Sequence, residues 1–213
     1  MSAAEFLPED GGLVELARAA AVCEGCELYQ AASQTVFGEG PAPARMMLVG
    51  EQPGDREDRE GHPFVGPAGL VLDKALVQAG IDRDEVYVTN VVKHFRWVAR
   101  GKRRIHRKPS QEHIEACKPW LEAELDRVQP RALVFLGATA AQAFLGRTFR
   151  VTALRGVPVE SPLAPVVLAT VHPSSILRVK ESEDRELEMN KFVEDLSVAA
   201  KLSRDSKSAP GRT

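Results

Sequence analysis

Apolar residues in this chain gather into short runs closed by glycine or polar residues, the pattern of buried parallel strands. The first run, Met46–Val49, stops at Gly50 and hands over to the polar turn Glu51-Gln52-Pro53-Gly54. Similar runs follow at Glu85–Asn90, Arg131–Gly137 and Pro165–Val171, the last delivering His172-Pro173-Ser174-Ser175. Helical patterns alternate with them. Leu13–Val22 is apolar and alanine-rich, and Pro67 suits the first turn of a helix over Ala68–Ala79 that stops at Gly80. Ser110 predicts an N-cap for a helix to about Arg127. Ala138–Leu145 runs to a stop at Gly146, and a final helix is expected over Asp184–Leu202. Strands alternating with helices predict an α/β fold, its parallel strands joined by right-handed crossovers.

That topology has a consequence for chemistry. Ligands of open parallel sheets bind beyond the carboxyl ends of the strands. Three predicted strands end in Glu51, Asn90 and His172, so a carboxylate, a carboxamide and an imidazole should meet at one rim. The amide suits an amide-like or nucleobase edge. The imidazole can donate to a developing oxyanion, and the carboxylate can accept a proton or orient a nucleophile. Any one of them alone would be read as a helix or turn cap.

Lys93–Pro109 shows no periodicity. Within it, six of the nine residues from Arg100 to Lys108 are Arg or Lys, which reads as a solvated loop or a phosphate-binding patch. Ile105 beside His106 suggests that one side of this loop turns inward.

Composition adds bounds. At 213 residues and 44% hydrophobic, the chain fits one globular domain over residues 1–203, with a polar stretch from Lys201 expected to be disordered, residues 204–213 as a tail. The net charge of −2 neither favours nor excludes a nucleic-acid partner. With no membrane-length apolar run and no signal-peptide pattern, a cytoplasmic location is expected; a monomer is the separate expectation for its assembly. Three cysteines argue against a secreted disulfide framework. Cys23-x-x-Cys26 has metal-ligand spacing, Cys117 could join it, and His94 is the nearest fourth candidate. By spacing alone a structural zinc and an iron–sulfur cluster fit equally well.

Taken in order, these residues resemble the uracil-DNA glycosylase superfamily, from about Cys23 to Arg178. Gly50-Glu51-Gln52-Pro53-Gly54 resembles its first motif and His172-Pro173-Ser174-Ser175 its second. Pro63-Phe64-Val65-Gly66 matches the segment with the uracil-stacking aromatic, and Thr89-Asn90 the uracil-reading asparagine. The cysteines point to its iron–sulfur class, with His94 where a fourth cysteine usually stands. That departure, with the Lys102-Arg103-Arg104-Ile105-His106 insertion, is similar to the UdgX subclass.

The resemblance implies a three-layer α-β-α fold on a central, mainly parallel four-stranded sheet. It implies a [4Fe–4S] cluster on Cys23, Cys26, His94 and Cys117, and a DNA substrate containing uracil, with single strands preferred. It makes Glu51, His106 and His172 the catalytic residues, His106 becoming covalently attached to the DNA. Gly50, Gln52, Phe64 and Asn90 are then expected to bind the base. Lys102, Arg103, Arg104, Arg107, Ser174, Ser175 and Arg178 are expected to contact the backbone.

Overall fold

A computed structural model describes residues 1–205. Its elements in chain order are α1 (Leu13–Ala20), β1 (Met46–Gly50), α2 (Asp55–Glu60), α3 (Pro67–Gln78), β2 (Val86–Asn90), β3 (Trp97–Arg100), β4 (Arg103–His106), α4 (Gln111–Val128), β5 (Ala132–Leu136), α5 (Ala138–Leu145), α6 (Val151–Leu154), β6 (Val166–Thr170), α7 (Pro173–Leu177) and α8 (Ser182–Asp205). Short 3-10 turns lie at Ala3–Phe6, Glu27–Gln30 and Arg83–Glu85.

The four strands β2, β1, β5 and β6 form one parallel sheet in that order, each buried along its whole length. Alternation along each strand divides the core into two layers. Met47, Val49, Tyr87, Leu133 and Phe135 face α1, α4 and α5 residues such as Leu16, Trp120 and Ala140. Met46, Leu48, Val88, Val134 and Leu168 face α3, α7 and α8, where Leu72, Ile176 and Phe192 close the other side. The fold is therefore three-layer α/β, as the alternating pattern predicts. The spatial order β2-β1-β5-β6 puts the topological switch point between β1 and β5, the usual place for a ligand crevice.

Three stretches differ from their sequence reading. Asp55–Glu60 (DREDRE) is a helix without an apolar stripe, held by ion pairs of Arg56 with Glu60 and Arg59 with Asp55. Lys93–Pro109, which lacks periodicity, contains an antiparallel hairpin of β3 and β4 turning at Gly101-Lys102, with Gly101 at φ 60°. The final helix continues to Asp205, so Lys201–Asp205 is helical rather than disordered. The rest of the expected tail lies outside the described residues. Among the described residues no helix is long and apolar enough to cross a membrane.

Candidate active site

The rim of the sheet is built by backbone bonds that continue beyond the strands. Val91 N–H donates to the Gly50 carbonyl and Val92 N–H to the Glu51 carbonyl, locking the β1 and β2 ends side by side. Gly50 is required there, because a Cβ would run into Asn90 Oδ1 and the Phe64 ring. Above it opens a cavity of about 780 Å³ lined by Glu51, Gln52, Phe64, Asn90, His106, His172, Ser174, Ser175 and Arg178 among others. The three predicted strand ends do converge, and Phe64 and His106 join them.

Phe64 is held in a strained backbone conformation, φ 57°, which an aromatic residue rarely adopts. Two neighbours fix it. Buried Glu57 accepts Gly66 N–H at 2.8 Å and Gly54 N–H at 3.1 Å, tying the segment after Phe64 to the turn after Glu51. Gly69 leaves room for the Phe64 carbonyl, which any side chain there would strike. The Phe64 ring lies 6.1 Å from the His172 ring at 27°.

His172 caps α7. Its Nδ1 accepts Ser174 N–H at 3.2 Å, with Ser174 Oγ at 2.9 Å, which assigns the proton of the neutral ring to Nε2. Burial, Arg178 and His106 together push its pKa down to about 4. A neutral donor thus faces the cavity.

The hairpin carries His106 over the pocket. Alternation on β4 puts Arg104 and His106 on one face, and Ile105, 37% exposed, on the other. The inward residue is Arg104, where the sequence pointed to Ile105. Its guanidinium binds Asp55 Oδ1 and Asp58 Oδ2, each at 2.5 Å, donates to Ser33 Oγ, and lies over the Phe95 and Trp97 rings. Arg104 was expected at a phosphate; these partners occupy it instead, whereas Lys102, Arg103 and Arg107 are exposed.

His106 Nε2 meets the Gln52 amide nitrogen at 2.9 Å and Glu51 Oε1 at 3.5 Å. Gln52 Oε1 accepts Arg96 N–H, so its nitrogen is the donor and His106 Nε2 carries the lone pair. Glu51 thus approaches the same ring nitrogen as Gln52. Burial lowers the pKa of His106; Glu51 opposes this and Arg178 assists it.

Cys23, Cys26 and Cys117 come near one another behind β2, close enough for charge on one to raise the pKa of the next. Burial pushes the Cys117 thiol up to about 12. Their sulfurs receive N–H donors: Gly25 and Trp120 Nε1 to Cys23 at 3.4 and 3.3 Å, and Lys93 N–H to Cys117 at 3.2 Å. His94 Nε2 donates to Thr35 Oγ1 at 2.9 Å, since that hydroxyl gives its proton to the Ala20 carbonyl. Its Nδ1 keeps a lone pair, and burial lowers its pKa to about 4. A metal-ligating histidine commonly donates its second nitrogen in this way. Among the described residues no three His, Cys, Asp or Glu side chains are grouped to hold one metal ion. Three thiols and an imidazole with a free Nδ1 lone pair are donor types that an iron–sulfur cluster takes.

Several contributors were not legible beforehand. Glu57, three residues after Gly54, has capping-box spacing that could have identified it. Asp55 and Asp58 carried no signal of an inward arginine.

A family model for the uracil DNA glycosylase superfamily matches residues 37–197. The chain is similar to a type-4 uracil-DNA glycosylase of Thermotoga maritima, 37% identical over 178 residues, 83% of this chain and 87% of the relative. Similar proteins of the same description occur in Sulfurisphaera tokodaii, 36% identical over 73% of this chain and 71% of the relative, and in Archaeoglobus fulgidus, 32% over 85% and 92%.

Proposed function

The chain belongs to the uracil DNA glycosylase superfamily, and from that premise we propose that it excises uracil from DNA and is left covalently joined to the abasic deoxyribose through His106. The observation that carries the covalent step is the placement of His106 Nε2, with its lone pair, at the cavity that Phe64, Asn90 and His172 also line.

A uracil must leave the base stack to enter this cavity, at a cost of a few kcal/mol that is smallest in single strands, which are the preferred substrate. Phe64 stacks on the flipped ring, and Asn90 pairs with its O4 and N3–H edge, separating uracil from cytosine. Gln52 and the Gly50 backbone complete the base pocket. Lys102, Arg103 and Arg107 hold flanking phosphates, with Ser174, Ser175 and Arg178 on the opposite rim, so binding weakens with salt.

As the C1′–N1 bond breaks, its electron pair leaves with uracil, and His172 Nε2–H donates to the O2 that gains charge. The sugar becomes cation-like at C1′. The His106 Nε2 lone pair then forms the new bond to C1′, and the ring proton on Nδ1 is lost to solvent afterwards. Glu51, beside the same nitrogen, favours the positive charge passing from sugar to imidazole. If water is kept from the C1′–nitrogen bond, the adduct is the end product.

Cys23, Cys26, Cys117 and His94 would hold a [4Fe–4S] cluster, which when bound ties the N-terminal segment to α4 and the residues after β2. No step of excision is assigned to it.

Incubation with a uracil-containing single-stranded oligonucleotide tests the reading. A heat-stable species retarded on a denaturing gel, with stoichiometric release of uracil, is expected. Repeated uracil release without that species would make the protein a turnover glycosylase.

A further inference from the structure

Directly behind Asn90 lies a lysine that is sealed from solvent. Lys93 and Glu124 both have no exposed surface, and Lys93 Nζ meets Glu124 Oε2 at 2.5 Å. Nζ also donates to Thr89 Oγ1 at 2.6 Å and to the main-chain carbonyl of Asn90 at 2.8 Å, and lies over the Phe37 ring at 5.3 Å. Glu124 Oε1 in turn accepts from Gly38 N–H, Tyr87 Oη and Thr89 Oγ1. Every partner of this ion pair is a group of β2, α4 or the Phe37–Gly38 segment.

Burying such a pair is an expensive way to stabilise a fold, since well-packed apolar residues of similar volume often do as well. What an apolar pair could not do is grip a carbonyl. The Asn90 carbonyl is at the end of β2, one residue from where Val91 N–H turns to the Gly50 carbonyl. Two bonds therefore hold the Asn90–Val91 peptide, one at its carbonyl and one at its N–H. The Lys93 main chain is itself anchored, its N–H on Cys117 Sγ.

We infer that Lys93 is a positioning residue for base recognition: its Nζ on the Asn90 carbonyl, clamped by Glu124, sets the backbone from which the Asn90 amide meets the uracil edge. The inference rests on the reading of Asn90 as the residue that pairs with the base. Because Lys93 acts through Asn90, its loss and the loss of the Asn90 amide must not add. A merely structural ion pair would weaken binding independently of Asn90.

A double-mutant cycle on the intact, cluster-loaded protein decides between these. The probe is a short single-stranded oligonucleotide carrying 2′-fluoro-2′-deoxyuridine, which resists excision, against the same strand with cytosine. Lys93→Met with Glu124→Leu removes both charges together and leaves neither buried alone. Uracil-over-cytosine affinity should fall about tenfold in this variant, about tenfold in Asn90→Ala, and still only about tenfold when they are combined. Lys93→Gln with Glu124→Gln keeps a hydrogen-bonded pair in the same space, should the apolar pair not fold, and carries the same expectation because glutamine is too short to reach the carbonyl. Additive losses, or unchanged selectivity in the charge-free variants, would overturn the inference while leaving the base-reading role intact. If Asn90→Ala alone keeps full selectivity, the base-reading role falls and the inference with it.

Discussion

The Gln52 side-chain amide stands 2.9 Å from His106 Nε2, while its own oxygen is held by Arg96 N–H at 3.2 Å. The same amide nitrogen also reaches the carbonyls of Arg96 and Arg107. One residue of the turn after β1 thus reaches both sides of the hairpin base, its two amide hydrogens shared among His106 Nε2 and the two carbonyls. Gln52→Leu removes the contact to His106 together with those to Arg96 and Arg107; at about 1 kcal/mol for the His106 hydrogen bond alone, adduct formation should slow at least roughly fivefold. Single-turnover rates read from denaturing gels check it.

Arg104 anchors the hairpin from beneath. Arg104→Met keeps an apolar stem against Phe95 and Trp97 but leaves Asp58, which is fully buried, without its cation. A cost of roughly 3 kcal/mol is expected. The melting temperature should drop, and adduct formation should fall further than uracil affinity does.

Gly50→Ala tests the close approach of the two rim strands. Its methyl group would strike Asn90 Oδ1 and Phe64 together, within a sheet that cannot shift. Uracil excision should be lost, with thermal stability lowered by about 1–3 kcal/mol for the overpacking. Normal excision by this variant would contradict the described pocket.

The histidines set a pH dependence. The folded-state pKa of His172, about 4, lies below the ordinary imidazole value of 6.5. Between these values the unfolded chain takes up a proton that the native protein refuses, so stability falls as pH drops from 6.5 towards 4. The slope from this group is at most about 1.4 kcal/mol per pH unit, and it vanishes above the window. Urea unfolding of wild type and His172→Gln across pH 4–7 should show the difference. His106, also lowered, keeps its lone pair at neutral pH, so adduct formation should be flat near pH 7 and decline only as the ring protonates on acidification.

The sheet and its three strand ends could be read from sequence because strands buried on both faces are plain apolar runs with abrupt ends. Helices with an N-cap or glycine stop, such as Gln111–Val128 and Ala138–Leu145, were legible for similar reasons. The Asp55–Glu60 helix was not, since DREDRE has no apolar stripe. Nor was the hairpin, because the inward residue of RRIH is a cation whose carboxylate partners come from the distant helix α2. The same holds for Lys93, which is fully buried by virtue of Glu124, thirty-one positions away. Charge pairs across the fold leave no periodic trace. Glu51, Gln52, Phe64, Asn90 and His172 line one cavity, whereas Arg104 turns inward to Asp55 and Asp58.

The covalent claim is tested most directly by locating the bond. The protein is incubated with uracil-containing single-stranded DNA, digested with protease and nuclease, and the modified peptide sequenced by mass spectrometry. A deoxyribose remnant on His106 is expected in wild type, and His106→Ser should show none while releasing uracil repeatedly. A remnant on another residue, or unmodified His106 alongside free uracil, would contradict the assignment of His106 as the nucleophile.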